Sequence, residues 1–282
     1  MEEQGVAVFR RRIVAVCAAI GVMGLAGLSA APAHAAPECP DVHWIGAAGS
    51  GERNNPTVNG GMGRVIYRSL QDLSQQVQRD GRTVTAEAVN YPAVAVPDTG
   101  NLLGWAGFMN SVDAGVTALA NQYAAFTQQC PSTKVVLAGY SQGAMVVHRN
   151  LQTLASSPNL AAVLLVADGD RLPADPTYNL GSATAAWAGE GMGMAQQWPI
   201  MAHAPTSPLP LSVGSRTISV CDVGDPVCDA ISDDQEVTPA GVAIHTGYAR
   251  SHAGGYAWTW PLYQLLAPAM SVSQLAPVRP SM

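Results

Sequence analysis

The sequence predicts an α/β fold, one domain built on a central parallel sheet with helices on both faces. Three observations point to it. Short apolar segments such as Lys134 to Tyr140 ("KVVLAGY") and Ala161 to Asp168 ("AAVLLVAD") lack the polar alternation of a half-exposed strand, which is the character of strands buried on both faces. Segments of helical periodicity separate them, and strict alternation of the two types implies parallel strands with crossover helices. Glycines punctuate the junctions, where strand gives way to helix.

The first 35 residues stand outside this fold. Arg10, Arg11 and Arg12 precede an apolar run from Ile13 to Ala31 that ends in Ala33-His34-Ala35, the layout of a signal peptide cleaved near Ala35. The run is interrupted by Gly21, Gly24 and Gly27, which argues against a membrane anchor. The export route stays open, because the arginine cluster matches the twin-arginine pattern only loosely. The protein is therefore expected outside the cell or in the cell envelope, with residues 36–282 as its domain.

The elements of that domain follow in order. Residues 41–49 read as the first strand, 61–78 as a helix with apolar positions every three or four residues, and 83–91 as a strand. Residues 110–130 read as a helix, 134–140 as a strand, 144–155 as a helix, 161–168 as a strand and 216–221 as the last strand. A final helix is expected near residues 255–267. Between Arg171 and Ser215 the rhythm breaks: six prolines and the side chains Trp187, Met192, Met194 and Trp198 lie among glycines. This stretch reads as an irregular insertion, either a surface wrap or a partial lid and acyl-binding wall, since Met and Trp make adaptable apolar surfaces.

The chain carries 14 Lys and Arg against 20 Asp and Glu, and loss of the leader moves its formal charge from −6 to −7. Such an acidic chain is a poor nucleic-acid binder, and no nucleic-acid partner is expected. Cys17 lies in the leader; Cys39, Cys130, Cys221 and Cys228 form an even set in an exported chain, so two disulfides are expected. Cys221 and Cys228 enclose only "DVGDPV" and form the natural short loop, leaving Cys39 for Cys130. Zinc is disfavoured, as the sequence has no C-x-x-C and no paired histidines.

The stretch "VVLAGYSQGAMVV", Val135 to Val147, places Ser141 between Gly139 and Gly143. It reads either as an ordinary turn or as a nucleophile elbow, where the turn is too tight for a Cβ at either glycine. A serine hydroxyl needs a base, and the base needs an orienting carboxylate. In open parallel folds the order is Ser, acid, His. The acid candidates are Asp168, Asp170, Asp222, Asp225 and Asp229, and the histidines are His148, His203, His245 and His252. His148 falls inside the helix after Ser141 and His203 in the Pro-rich insertion, so both read as structural or solvated. His245 and His252 lie on the connection between the last strand and last helix, where the base is delivered. The backbone N–H of Gln142, the residue after the nucleophile, is one expected oxyanion donor.

The segments "CPSTKVVLAGYSQG", "CDVGDPVC" and "HTGY" resemble, in order and character, the cutinase family of secreted serine esterases. The resemblance covers most of the mature chain apart from the insertion at 171–215. It implies an α/β-hydrolase fold, Ser141 as nucleophile, Asp225 as orienting acid and His245 as base, with His252 the runner-up. It also implies Ser50 as the second oxyanion donor, because "AAGSGE" is similar to a family motif; Ala48 stands where arginine is usual. The implied activity is hydrolysis of carboxylic esters, such as cutin-like polyesters, short to medium acyl esters or lipids, through an acyl-serine intermediate. No metal and no organic cofactor is implied. An ester or lipid substrate, contact with a lipid surface and a monomeric state are expected. Rival readings are an acetylxylan esterase, a cell-envelope lipase or acyltransferase on the same scaffold, and a non-catalytic extracellular binding module.

Overall fold

The computed structural model describes residues 38–98, 101–184, 191–198, 203–231, 237–250 and 255–272. Contacts divide the chain into Met1–Glu38 and Cys39–Met282, and the second unit carries the whole fold described below. Its sheet contains β1 (Val42–Ala47), β2 (Val84–Ala88), β3 (Lys134–Tyr140), β4 (Leu160–Val166), β5 (Tyr178–Leu180) and β6 (Thr217–Val220). The strand order is β2-β1-β3-β4-β6-β5, and every pairing is parallel.

The apolar runs of the inner strands serve two cores at once, because successive side chains of a strand point to opposite faces. Val42, Trp44, Val136, Ala138, Leu164 and Val166 pack on one face with α1 (Arg64–Arg79) and α7 (Thr259–Val272). Ile45, Ala47, Val135, Leu137, Val163 and Leu165 pack on the other with α2 (Leu102–Gln129) and α3 (Gln142–Leu154). Two short helices, α4 (Met194–Gln197) and α5 (Leu211–Gly214), precede β6, and α6 (Pro239–His245) follows it.

The expected elements are present, with shifted ends. Helix α2 starts at Leu102, eight residues before the expected position, because Gly104 and Gly107 make its first two turns read as loop. Asn101 caps it by accepting the Gly104 N–H at 2.9 Å, and Trp105, Phe108, Met109 and Val112 bury a helical stripe. The final helix starts later and runs further than expected, to Val272, with Pro268 inside it. Residues 171–215 are more regular than they read: they supply the edge strand β5, paired with β6 at Tyr178↔Ile218 through Leu180↔Val220, as well as α4 and α5. Three residues are too few for periodicity to reveal a strand.

Cys39 is bonded to Cys130 and Cys221 to Cys228. The first ties the entry to β1 onto the end of α2 across 91 residues, which in chain-entropy terms contributes about 4 to 5 kcal/mol. The second closes a loop directly after β6 across 7 residues, worth about half as much. Its significance is positional, since it confines a loop at the carboxyl edge of the sheet, where open α/β folds place their sites. Among the described residues, no helix is long and apolar enough to cross a membrane.

Candidate active site

Ser141 occupies the single residue between β3 and α3, with φ 54° and ψ −120°, a conformation that costs a non-glycine residue free energy and persists only where its surroundings impose it. They do so through two close backbone approaches. A Cβ on Gly139 would lie 2.2 Å from the Gly143 carbonyl oxygen, and one on Gly143 would lie 2.2 Å from the Ala47 oxygen at the end of β1. Both positions therefore demand glycine. The Ser141 N–H donates to the Val166 oxygen at 2.9 Å, and the Ser141 carbonyl accepts from Ala144 and Met145. The turn is thus stitched to the neighbouring strand on one side and to its own helix on the other.

His245 stands against this turn. Its Nε2 is 3.0 Å from Ser141 Oγ, and its Nδ1 is 2.9 and 3.0 Å from the two carboxylate oxygens of Asp225. With carboxylate on the Nδ1 side, the network assigns the neutral ring's proton to Nδ1 and leaves Nε2 to accept from the serine hydroxyl. Asp225 is fully buried, and its Oδ1 also accepts the Val227 N–H at 2.8 Å. It sits within the loop closed by Cys221 and Cys228. His245 is the last residue of α6, where a loop position was expected. Thr238 caps that helix by accepting from Gly241 N–H, and Pro239 opens it, a pairing that favours helix starts. The Tyr140 hydroxyl donates to the His245 carbonyl at 2.8 Å, and its ring stacks on the imidazole with centroids 5.3 Å apart.

Ser50 and Gln142 border the same cavity as Ser141 and His245. Gln142 is the first residue of α3, and the leading N–H groups of a helix have no intrahelical acceptor. Its carboxamide is committed elsewhere, accepting from Ser111 and donating to the Val94 oxygen. The loop that carries Ser50 is held by Glu52, whose carboxylate accepts the Gly49 N–H at 2.7 Å and the Arg64 N–H at 3.0 Å. Burial pushes the Glu52 carboxyl above its ordinary value, against these two bonds. Tyr91 anchors the same loop through a bond from its hydroxyl to the Ala48 oxygen.

The cavity beside Ser141 has a volume of about 460 Å³. Trp105, Phe108, Met145, Met194 and Trp198 form its apolar wall. Sequence reasoning assigned no role to Glu52, Tyr140, Trp105, Phe108 or Met145. Glu52 ends the "AAGSGE" segment, the one signal that marked it; Trp105 and Phe108 lie ahead of the expected helix at 110–130, and Tyr140 and Met145 fall within an expected strand and an expected helix.

The remaining candidates fall away from Ser141. His148 is buried, with Nδ1 2.6 Å from Asp168 and Nε2 3.8 Å from Asp175. Asp170 is paired with Arg149 at 2.7 Å. Asp222 accepts from the Ser182 N–H, and Asp229 accepts from the Gly224 N–H. His203 is largely exposed, 3.4 Å from Asp113. His252 lies outside the described residues. Among the described residues, no three His, Cys, Asp or Glu side chains form a candidate metal cluster.

Burial alone would lower the His148 pKa, but the charge and hydrogen bond of Asp168, with Asp170 and Asp175 behind, raise it to about 9 from 6.5. A raised folded-state value stabilises fully below about pH 6.5 and is lost as pH climbs through 9. Unfolding free energy should therefore fall by on the order of 2 to 3 kcal/mol between pH 6.5 and 10. Denaturant titrations across that range check this; the His148→Asn protein, less stable at neutral pH, should show a flatter slope.

The family model described as Cutinase matches residues 38–264. Acetylxylan esterase 2 of Talaromyces purpureogenus is 27% identical over 83% of this chain and 92% of its own length. Phospholipase Culp4 of Mycobacterium tuberculosis is 31% identical over 77% of this chain and 80% of its own. Among solved structures, an acetylxylan esterase superposes with a TM-score of 0.57 at 24% identity, covering 83% of this chain and all of that one. A cutinase-like protein from Cryptococcus sp. also gives 0.57, at 18% identity, over 84% of this chain and 98% of its own. These two likenesses concern the fold, which is that of the cutinase-like α/β hydrolases. With the family model spanning most of its length, the chain belongs to the cutinase family and is a carboxylic ester hydrolase.

Proposed function

We propose that Ser141 is the nucleophile of this hydrolase, His245 its general base and Asp225 the carboxylate that orients and stabilises the imidazole. The observation that carries the reading is the His245 ring, which contacts Ser141 Oγ through one nitrogen and Asp225 through the other. In the first half-reaction Ser141 Oγ attacks the ester carbonyl carbon while its proton passes to His245 Nε2. The tetrahedral oxyanion is held by the backbone N–H groups of Ser50 and Gln142, donors that act where charge develops. As the intermediate collapses the alcohol departs with the proton from His245, leaving an acyl-serine. Water then attacks that ester, again losing its proton to His245, which returns it to Ser141 Oγ as the carboxylic acid departs.

Cutin-like polyesters, short to medium acyl esters and lipids are the substrate classes this reading admits. The relatives' names, acetylxylan esterase and phospholipase, support acetylated polysaccharide and lipid as alternatives for the same chemistry. Val96, Val237 and Val242 border the cavity and are exposed, an apolar rim suited to a lipid or polymer surface. We also propose a signal peptide over residues 1–35, export, and a monomer; the two disulfides fit an oxidising compartment. Fluorophosphonate labelling followed by peptide mapping tests the assignment. One adduct on Ser141 is expected, and an adduct on a different residue, or none, would overturn it.

A further inference from the structure

We propose that the cavity beside Ser141 is an acyl pocket for chains of about six to ten carbons, and that Trp198, supplied by the segment between β4 and β6, is the residue that selects such chains over acetyl. The proposal rests on the Ser141 reading above. Met145 lies one turn into α3, its N–H bonded to the Ser141 carbonyl, so the hydrophobic surface starts at the reacting atoms. From there it continues through Phe108 and Trp105 of α2 to Met194 and Trp198.

Size comes next. At about 30 Å³ per water-sized position, 460 Å³ accommodates roughly fifteen heavy atoms, to be shared by the acyl chain, the ester and part of the alcohol. The methyl of an acetyl group would fill one such position and leave water against tryptophan and methionine. Each further methylene that replaces this water should raise kcat/KM about two- to fourfold, according to how fully it is buried, while it remains inside the wall.

The polar groups at the cavity point the same way. The Glu52 carboxylate is bonded to the Gly49 and Arg64 N–H groups, the Gln142 carboxamide to Ser111 and Val94, and the Thr246 hydroxyl to the Val242 oxygen. A sugar ring would bring hydroxyls that need partners to a wall formed by tryptophan, phenylalanine and methionine. An alkyl chain needs none.

Trp198 is held in place before any substrate arrives. Its N–H donates to Met194, the Met194 N–H to Val227 in the disulfide loop, the Ala195 N–H to Gly169 and the Gly193 N–H to Arg171. Gln196 adds side-chain bonds to the Asp170 and Pro205 oxygens. Close approach is enforced too, since a Cβ on Gly193 would lie 2.2 Å from the Gly169 oxygen. The indole then packs edge-to-face on Trp105, with centroids 5.3 Å apart. These bonds make the described part of the segment a preformed wall, which spares the ordering cost of a surface assembled on binding.

The experiment measures kcat/KM for p-nitrophenyl acetate, butyrate, octanoate, dodecanoate and palmitate, below their aggregation limits, with active sites counted by fluorophosphonate titration. Wild type should favour octanoate over acetate by about thirtyfold or more. Trp198→Ala should lower that ratio by about tenfold, and Trp198→Phe should restore most of it, which separates selection from a loss of folded protein. Acetate equal to or better than octanoate in wild type would overturn the acyl pocket. A ratio changed less than threefold in Trp198→Ala would overturn the role of Trp198. Because active sites are counted at Ser141, activity that survives without a Ser141 adduct would place the failure in the nucleophile assignment instead.

Discussion

Replacing Ser141 with alanine is expected to lower kcat on p-nitrophenyl butyrate by about 10,000-fold or more while the far-ultraviolet dichroism and unfolding midpoint stay near wild type. On the proposed mechanism the loss is large because the hydroxyl oxygen becomes acylated, and the orienting groups have nothing to act on without it. The fold should tolerate the change for two reasons. Alanine meets the same backbone conformation at φ 54° with no more steric cost than serine, and the Oγ bond that disappears is the one to His245. The turn itself is held by backbone bonds to Val166, Ala144 and Met145, which the substitution leaves alone. Residual activity within tenfold of wild type would remove Ser141 from the mechanism.

His245→Ala should cost at least about a thousandfold in kcat, and His252→Ala less than about tenfold. His245 combines two requirements of a general base: hydrogen-bond reach of the nucleophile at 3.0 Å and a buried carboxylate at 2.9 Å on its far nitrogen. The helix α6, the Tyr140 hydroxyl and the stacked Tyr140 ring hold it there, so little orientational freedom is lost when substrate binds. Steady-state rates for both variants decide the matter. The reverse ranking would transfer the base to His252 and leave the nucleophile untouched.

Some of this was legible in the chain because it is written over a few neighbouring residues. The Gly139-Tyr140-Ser141-Gln142-Gly143 turn is legible because both glycines are demanded by backbone packed within one turn of the serine. The inner strands β1, β3 and β4 are legible because burial on both faces leaves an unbroken apolar run. Other features were not. The first two turns of α2 were hidden because Gly104 and Gly107 lower helix propensity, and only the fit of Trp105, Phe108 and Met109 into the core overrides it. The helix that ends at His245 was hidden because its two turns are too short to give a periodicity to read.

By itself, then, the sequence determined the fold class, through its two alternating periodicities, and the chemical vocabulary of the site: a serine in a tight turn, a set of aspartates and a set of histidines. Position along the chain set His148 and His203 aside, and the resemblance of "CDVGDPVC" and "HTGY" to family motifs singled out Asp225 and His245, but nothing local puts these side chains in contact. That contact belongs to the tertiary structure, because hydrogen bonds at 2.9 to 3.0 Å between residues 20 and 104 positions apart depend on where the crossovers return the chain. The apolar wall of the cavity is decided at the same level. Trp105 lies in a stretch that reads as loop and Trp198 in the irregular insertion, and they meet because backbone bonds from residues 193–195 to Gly169, Arg171 and Val227 seat that segment over the carboxyl edge of the sheet.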